Sequence, residues 1–251
     1  MWIRTRPRLT TRERIPLTML PKRRPATVRT VKPVIKRSNP DLSARLDRLH
    51  QAIRECSKCF EKGGNCPVPG TGPPRKGGLF LIGQAPGVRE PAAQKNFAWT
   101  AGRRLFQWLA QVGLTEELLR QNGYITAVTK CYPGKDAKGR GDRKPNPWEI
   151  ANCGPYLDEA LELLAPRVVV LIGSMAIERM LGVKKMSDVI GVEFEKDLPG
   201  GTAFVIPIPH PSGASPWPYF PENKKKLKRA LDLIRRRLQR EGLYSRYAPR
   251  V

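Results

Sequence analysis

Acidic side chains are scarce in this chain: 22 Asp and Glu stand against 46 Lys and Arg among 251 residues, a formal net charge of +24. Such an imbalance excludes an ordinary neutral surface and points to a polyanionic partner, DNA or RNA. Histidine is scarcer still, so imidazole chemistry can fall only to His50 or His210. No apolar run approaches the roughly 20 residues needed to cross a bilayer, and no membrane span is expected. Cysteines number five, an odd count, and nothing resembles a signal peptide. Both facts argue against a secreted disulfide scaffold and for a cytoplasmic setting, associated with the nucleoid if the partner is DNA. Internal repeats are absent.

What is present is unevenly placed. Residues 1–40 carry twelve Lys and Arg against the single acid Glu13, a local charge of 12 − 1 = +11, and six prolines interrupt them. Apolar residues there show no period, so the segment reads as a disordered basic arm that contacts DNA backbone. A solubility tail, an organellar presequence, or residues upstream of a start at Met19 are the other readings.

The folded domain is expected over 41–245. Asp41 caps a helix whose Leu42, Leu46, Leu49 and Ile53 share a face. Apolar runs at 79–82, 124–129, 167–172 and 203–208 read as four strands. Helical patterns at 101–111, 115–121, 147–164, 174–181 and 222–240 separate or follow them. Alternating strands and helices predict an α/β fold, a three-layer α/β/α sandwich around a central, mainly parallel four-stranded sheet. Loops after three of the strands would then converge at the strands' carboxyl ends. Trp99, Trp108 and Trp148 are assigned to packing, and His50 to the surface.

Cys56 and Cys59 form a C-x-x-C, and Cys131 and Cys153 follow far downstream. That spacing is unlike a compact zinc ribbon, but four dispersed thiolates suit a cluster if the fold gathers them. An iron-sulfur site, a structural zinc and buried unligated thiols all remain open on spacing alone. Cys66 is either the spare or a competitor for the place of Cys59.

The most specific signal is order. From Gly83 the chain reads GQAPGVREPAAQKNFAWTAGRRL, followed by YITAVTKC at 124–131 and HPSGAS at 210–215. This resembles the iron-sulfur (family 4) uracil-DNA glycosylases and their pattern G-E-A-P-G-x-x-E-D-x-x-G-x-P-F-x-G-x-A-G-x-x-L, their segment Y-I-T-N-V-V-K-C, and their HPS motif. Either GQAPG or HPS alone would be weak. Three motifs and four cysteines in one order are specific, and the likeness runs from about Cys56 to the final helix.

The resemblance implies a monomeric DNA-repair enzyme that hydrolyses the N-glycosidic bond of uracil, or a related deaminated base, leaving an abasic site. It implies a [4Fe-4S] cluster on Cys56, Cys59, Cys131 and Cys153, with structural zinc as the alternative. It places His210 beside a carbonyl oxygen of the extruded base, with backbone donors around Gln84, Ala85, Pro86 and Gly87. Phe97 would stack on the base, and Ser212, Gly213 and Ser215 would bind flanking phosphates. Two departures matter most, and Gln84 in place of Glu and Pro91 in place of Asp are smaller changes. Ala85 stands where related enzymes of another family carry a water-orienting Asp. Ala127 replaces the Asn that reads the uracil edge, a loss that weakens discrimination; Thr126, Thr129 or the basic loop at 135–144 are the available substitutes. No lysine nucleophile appears in the motifs, so strand cleavage is not expected. A glycosylase for another base such as hypoxanthine, or a non-catalytic cluster-bearing DNA-binding protein, would share many of these features.

Overall fold

The apolar runs do become strands. In the computed structural model, which describes residues 40–59, 66–139, 141–213, 217 and 220–249, β1 is Leu79–Gly83, β2 Tyr124–Ala127 and β3 Val168–Ile172. They are followed by β4 (Phe194–Leu198) and β5 (Gly201–Ile208). The basic arm and Ser215 fall outside the described residues. Sheet order is β2-β1-β3-β5-β4, with every pair parallel except the antiparallel β4 and β5. Every residue of β1 and β3 is buried, so helices cover both faces of the sheet's centre, as strands without polar alternation require.

The helices are α1 (Pro40–Arg54), α2 (Glu90–Ala93), α3 (Thr100–Ala110), α4 (Glu116–Asn122), α5 (Pro147–Leu164), α6 (Ser174–Leu181) and α7 (Pro221–Arg240). The Leu42, Leu46, Leu49 and Ile53 stripe of α1 is buried and the helix packs on α5. Its first turn includes Pro40, so Asp41 lies inside the helix rather than at its cap. A capping box starts α5: the Asn146 side chain accepts from the Glu149 N–H at 2.9 Å, and Glu149 accepts from the Asn146 N–H at 2.8 Å. Arg143 ties the preceding loop to the same carboxylate. The fully buried Tyr247 hydroxyl accepts from the Leu79 N–H at 2.9 Å, locking the C-terminal segment to the start of β1. Burying each large apolar side chain of this core contributes about 1.5–3 kcal/mol.

Four strands were expected and five are found among the described residues. β4 went unseen because its central Glu195, Lys196 and Asp197 are exposed at the sheet edge, and only its ends are partly covered. A charged antiparallel edge strand carries no apolar run to detect, and charge there discourages edge-to-edge pairing. His50 is no surface residue: it is half-buried, its Nε2 lies 2.8 Å from the Tyr124 hydroxyl, and burial lowers its pKa to about 4. Of the tryptophans assigned to packing, Trp108 does pack on the core, while Trp99 and Trp148 are exposed.

Candidate active site

Parallel strands point their carboxyl ends the same way, so the loops leaving β1, β2, β3 and β5 meet at one edge. A cavity of about 760 Å³ opens there. Gln84, Ala85, Pro86 and Gly87 line it from the β1 loop, Ala127 from the end of β2, Ser174 from beyond β3, and His210, Ser212 and Gly213 from beyond β5. Phe97 completes it from the turn before α3. All nine described residues expected at the base or phosphate positions line this one cavity, which is roomy enough for a nucleotide.

The β1 loop is fastened to the end of β2. Gly83 pairs with Ala127 in register, and the N–H groups of Val128 and Thr129 donate to the carbonyls of Gly83 and Gln84 at 2.9 and 3.2 Å. Within the turn, the Gly87 N–H is engaged by Glu90 Oε2 at 3.3 Å, and Pro86 has none. Gln84 and Ala85 therefore carry the N–H groups this turn has to offer a ligand.

Phe97 sits at φ +55°, a left-handed conformation costing about 1–3 kcal/mol for a residue with a side chain. Its surroundings hold it there. Arg120 donates to the carbonyls of Asn96 and Phe97 at 3.2 and 2.8 Å. The buried Asn96 amide donates to the Pro69 carbonyl at 2.8 Å. Gly102 lacks the Cβ that would fall 1.8 Å from the Phe97 carbonyl oxygen, so only glycine admits this turn. Across the cavity floor, the Phe97 ring lies against Gly83, where an added Cβ would meet it at 2.7 Å.

His210 rests against Gly173, itself at φ +89°, whose missing Cβ would stand 3.0 Å from the His210 Cβ. The Ser212 N–H donates to Nδ1 at 3.2 Å, which makes Nδ1 an acceptor and puts the proton of the neutral ring on Nε2. Burial lowers the imidazole's pKa to about 4, so the ring is neutral at physiological pH. A neutral imidazole with a fixed Nε2–H is a hydrogen-bond donor that brings no positive charge with it.

Glu90 escaped the sequence reading. Its carboxyl is buried at the cavity wall, and burial raises its pKa to about 7 despite hydrogen bonds from the backbone of Gly87, Ala98 and Phe97. One side chain thus ties the β1 loop to the Phe97 turn. Glu90 stands three residues after Gly87, where the family pattern also has Glu, and that match is the signal that could have singled it out. Thr126 and Thr129, considered as substitutes for the missing Asn, are buried outside the cavity lining, and Thr126 Oγ1 is bonded by Lys130 Nζ at 3.0 Å. Lys135, Asp136, Asp142 and Lys144 of the basic loop do line it, with Lys135 and Tyr132 both bonded to Asp142.

The cysteines separate into four and one. Burial first, then the charges of Cys153, Cys56 and Cys59, push the Cys131 thiol up to about 12. Cys66 is exposed and bonded instead by the Gln94 amide at 3.2 Å. Donors already face the sulfurs: the Lys130 N–H lies 3.4 Å from Cys153 Sγ and the Asn152 amide 3.6 Å from Cys59 Sγ. Cys131 and Cys153, whose ionised forms burial disfavours, lie near Cys56 and Cys59, and N–H donors serve the sulfurs, an arrangement that fits a cationic group bound by thiolates. Among the described residues, no three His, Cys, Asp or Glu side chains are closed around a metal-sized point.

A family model described as the uracil DNA glycosylase superfamily matches residues 69–235. The type-4 uracil-DNA glycosylase of Archaeoglobus fulgidus is 34% identical over 173 residues, covering 66% of this chain and 81% of that protein. The type-4 enzyme of Pyrobaculum aerophilum is 32% identical over 173 residues, covering 66% and 83%. A type-5 uracil-DNA glycosylase of the same organism is 32% identical over 92 residues, a third of this chain.

Proposed function

The chain belongs to the uracil-DNA glycosylase superfamily, and we propose that it is a monofunctional DNA-repair glycosylase that hydrolyses the N-glycosidic bond of uracil in DNA. The observation that carries this reading is the single cavity in which His210, Phe97 and the Gln84–Ala85 turn face one another. Breaking the bond leaves negative charge on the departing base and positive charge on the deoxyribose. The His210 Nε2–H donates to a base carbonyl oxygen, and that bond strengthens as charge develops, so it stabilises the transition state more than the bound substrate. The Gln84 and Ala85 N–H groups add donors from the rigid turn. Phe97, held in its strained conformation before substrate arrives, stacks on the base once the nucleotide has left the helix. Ala85 has no carboxylate to orient water, so charge stabilisation of the departing base bears most of the catalysis.

Edge recognition passes from the missing Asn to the loop at 135–144, whose Lys135, Asp136, Asp142 and Lys144 line the cavity. Ser212, Gly213 and Ser215 bind the phosphates around the extruded nucleotide. Cys56, Cys59, Cys131 and Cys153 hold a [4Fe-4S] cluster, whose contribution is to tie α1 and α5 to the end of β2 and not to react. The enzyme domain spans 41–245, and residues 1–40 are a basic arm that adds nonspecific DNA affinity. The protein acts as a monomer on DNA in the cytoplasm, at the nucleoid.

Oligonucleotides carrying one uracil, hypoxanthine or xanthine, incubated with the protein and then treated with alkali, test this reading. Breakage at uracil is expected; breakage only at hypoxanthine would reassign the lesion, and none at any base would leave a DNA-binding protein. Removing residues 1–40 should weaken DNA binding and flatten its salt dependence.

A further inference from the structure

Few large apolar side chains remain exposed among the described residues, and two of them, Val88 and Trp99, stand together at the mouth of the cavity. Trp99 is 47% exposed. It occupies the N-cap position of α3 without a capping hydrogen bond from its side chain, so helix initiation does not explain the indole. Core packing does not explain it either. In the family pattern quoted above, the aligned position is a glycine.

What surrounds the ring is basic. The Arg89 guanidinium lies 4.1 Å from the indole centroid and that of Arg103 lies 5.8 Å away. Among the described residues neither arginine has an ion pair with an acid. An open indole flanked by two guanidinium groups without acidic partners presents parts that each suit one half of a nucleotide. The aromatic face stacks on a base, and the guanidinium groups pair with phosphate. Arg89 follows the turn that offers the Gln84 and Ala85 donors, and Trp99 lies two residues after Phe97. A strand with one nucleotide in the cavity therefore runs past this platform.

We propose that Trp99, Arg89 and Arg103 form a second nucleotide-binding site, which stacks an unpaired base adjacent to the extruded one and neutralises its phosphates. This rests on the glycosylase reading only for the identity of the nucleotide in the cavity. A single strand has free bases to stack and a duplex does not, so the platform favours single-stranded or locally melted DNA.

The test uses the full chain and two uncleavable oligonucleotides, one containing an abasic-site analogue and one undamaged, each as single strand and duplex. Trp99→Ala should raise Kd for either single strand about tenfold, the usual size of one lost stacking contact, and raise it less for duplex. Trp99→Phe should restore most of the affinity. Arg89→Ala and Arg103→Ala should each flatten the salt dependence of log Kd by roughly 0.7, the value of one single-strand phosphate contact. Quenching of tryptophan fluorescence by single-stranded DNA should shrink in Trp99→Phe. Single-strand Kd unchanged within twofold in Trp99→Ala, or lost equally in Trp99→Phe and Trp99→Ala with unchanged quenching, would overturn the proposal. Failure of the wild-type protein to excise any base would overturn the glycosylase reading alone, because binding to undamaged single strands still reports on the platform.

Discussion

The cavity and the sulfur corner both begin where β2 ends, at Ala127 and at Cys131, yet they are held in opposite ways. The cavity is built from strand ends, close glycine contacts and backbone hydrogen bonds, so the polypeptide alone gives it shape. The sulfur corner instead gathers Cys131 with Cys56, Cys59 and Cys153, and burial and those neighbours disfavour the Cys131 thiolate that a bound cationic group would stabilise. Chemistry is therefore expected to depend on the first and folding on the second. Substitutions at the two places should then fail in different ways.

The largest effect falls on turnover. His210→Ala should lower the single-turnover rate about 10²-fold or more, as does removal of a transition-state donor elsewhere, while thermal unfolding stays where it was. A matching loss of Tm would dissolve the distinction. Cys153→Ser should do the reverse, bleaching the brown absorbance near ~400 nm expected of an iron-sulfur cluster and lowering stability by several kcal/mol. For a domain of this size each kcal/mol shifts Tm by roughly 2–4 °C. A colourless wild-type protein with stoichiometric zinc would keep the structural role and change the metal.

Smaller changes sharpen the picture within the cavity. Ala127→Asn places an amide where β2 opens into the site, and a paired amide contributes about 1–3 kcal/mol of discrimination. Uracil excision relative to hypoxanthine should rise about tenfold, measured as a ratio of kcat/KM; no change would mean the loop at 135–144 already occupies the base edge. The smallest effect is a pH slope. The Glu90 pKa rises from 4.5 to about 7 on folding, so between those values the unfolded chain gives up its proton first, and stability falls as pH rises. Glu90→Gln removes that slope. Its stability relative to wild type should climb from pH 4.5 to 7 and level off above, whereas a difference flat with pH would mean Glu90 is ionised throughout in the folded protein.

Much of this was legible in the chain because it rests on short-range pattern. Leu79–Gly83 and Val168–Ile172 are apolar at nearly every position, and a buried parallel strand leaves that mark. The motif residues were legible as a set because each loop follows a strand, which predicts a shared edge without coordinates. What stayed hidden depends on how the chain turns back on itself in three dimensions. The buried state of Glu90, the left-handed Phe97 that Gly102 and Arg120 permit, and the Tyr124 contact of His50 are all made by segments the local pattern does not link. Trp99 was misjudged for the same reason: an aromatic two residues from a core Phe reads as core until the turn at Phe97 swings it outward.

The most direct test of the account is the single-turnover rate of base release from a uracil-containing oligonucleotide, compared between wild type and His210→Ala at neutral pH. Release by the wild type and a rate about 10²-fold lower in the variant, with both proteins equally folded, is the predicted result. Equal rates in the two, or no release from the folded, cluster-loaded wild type, would contradict it.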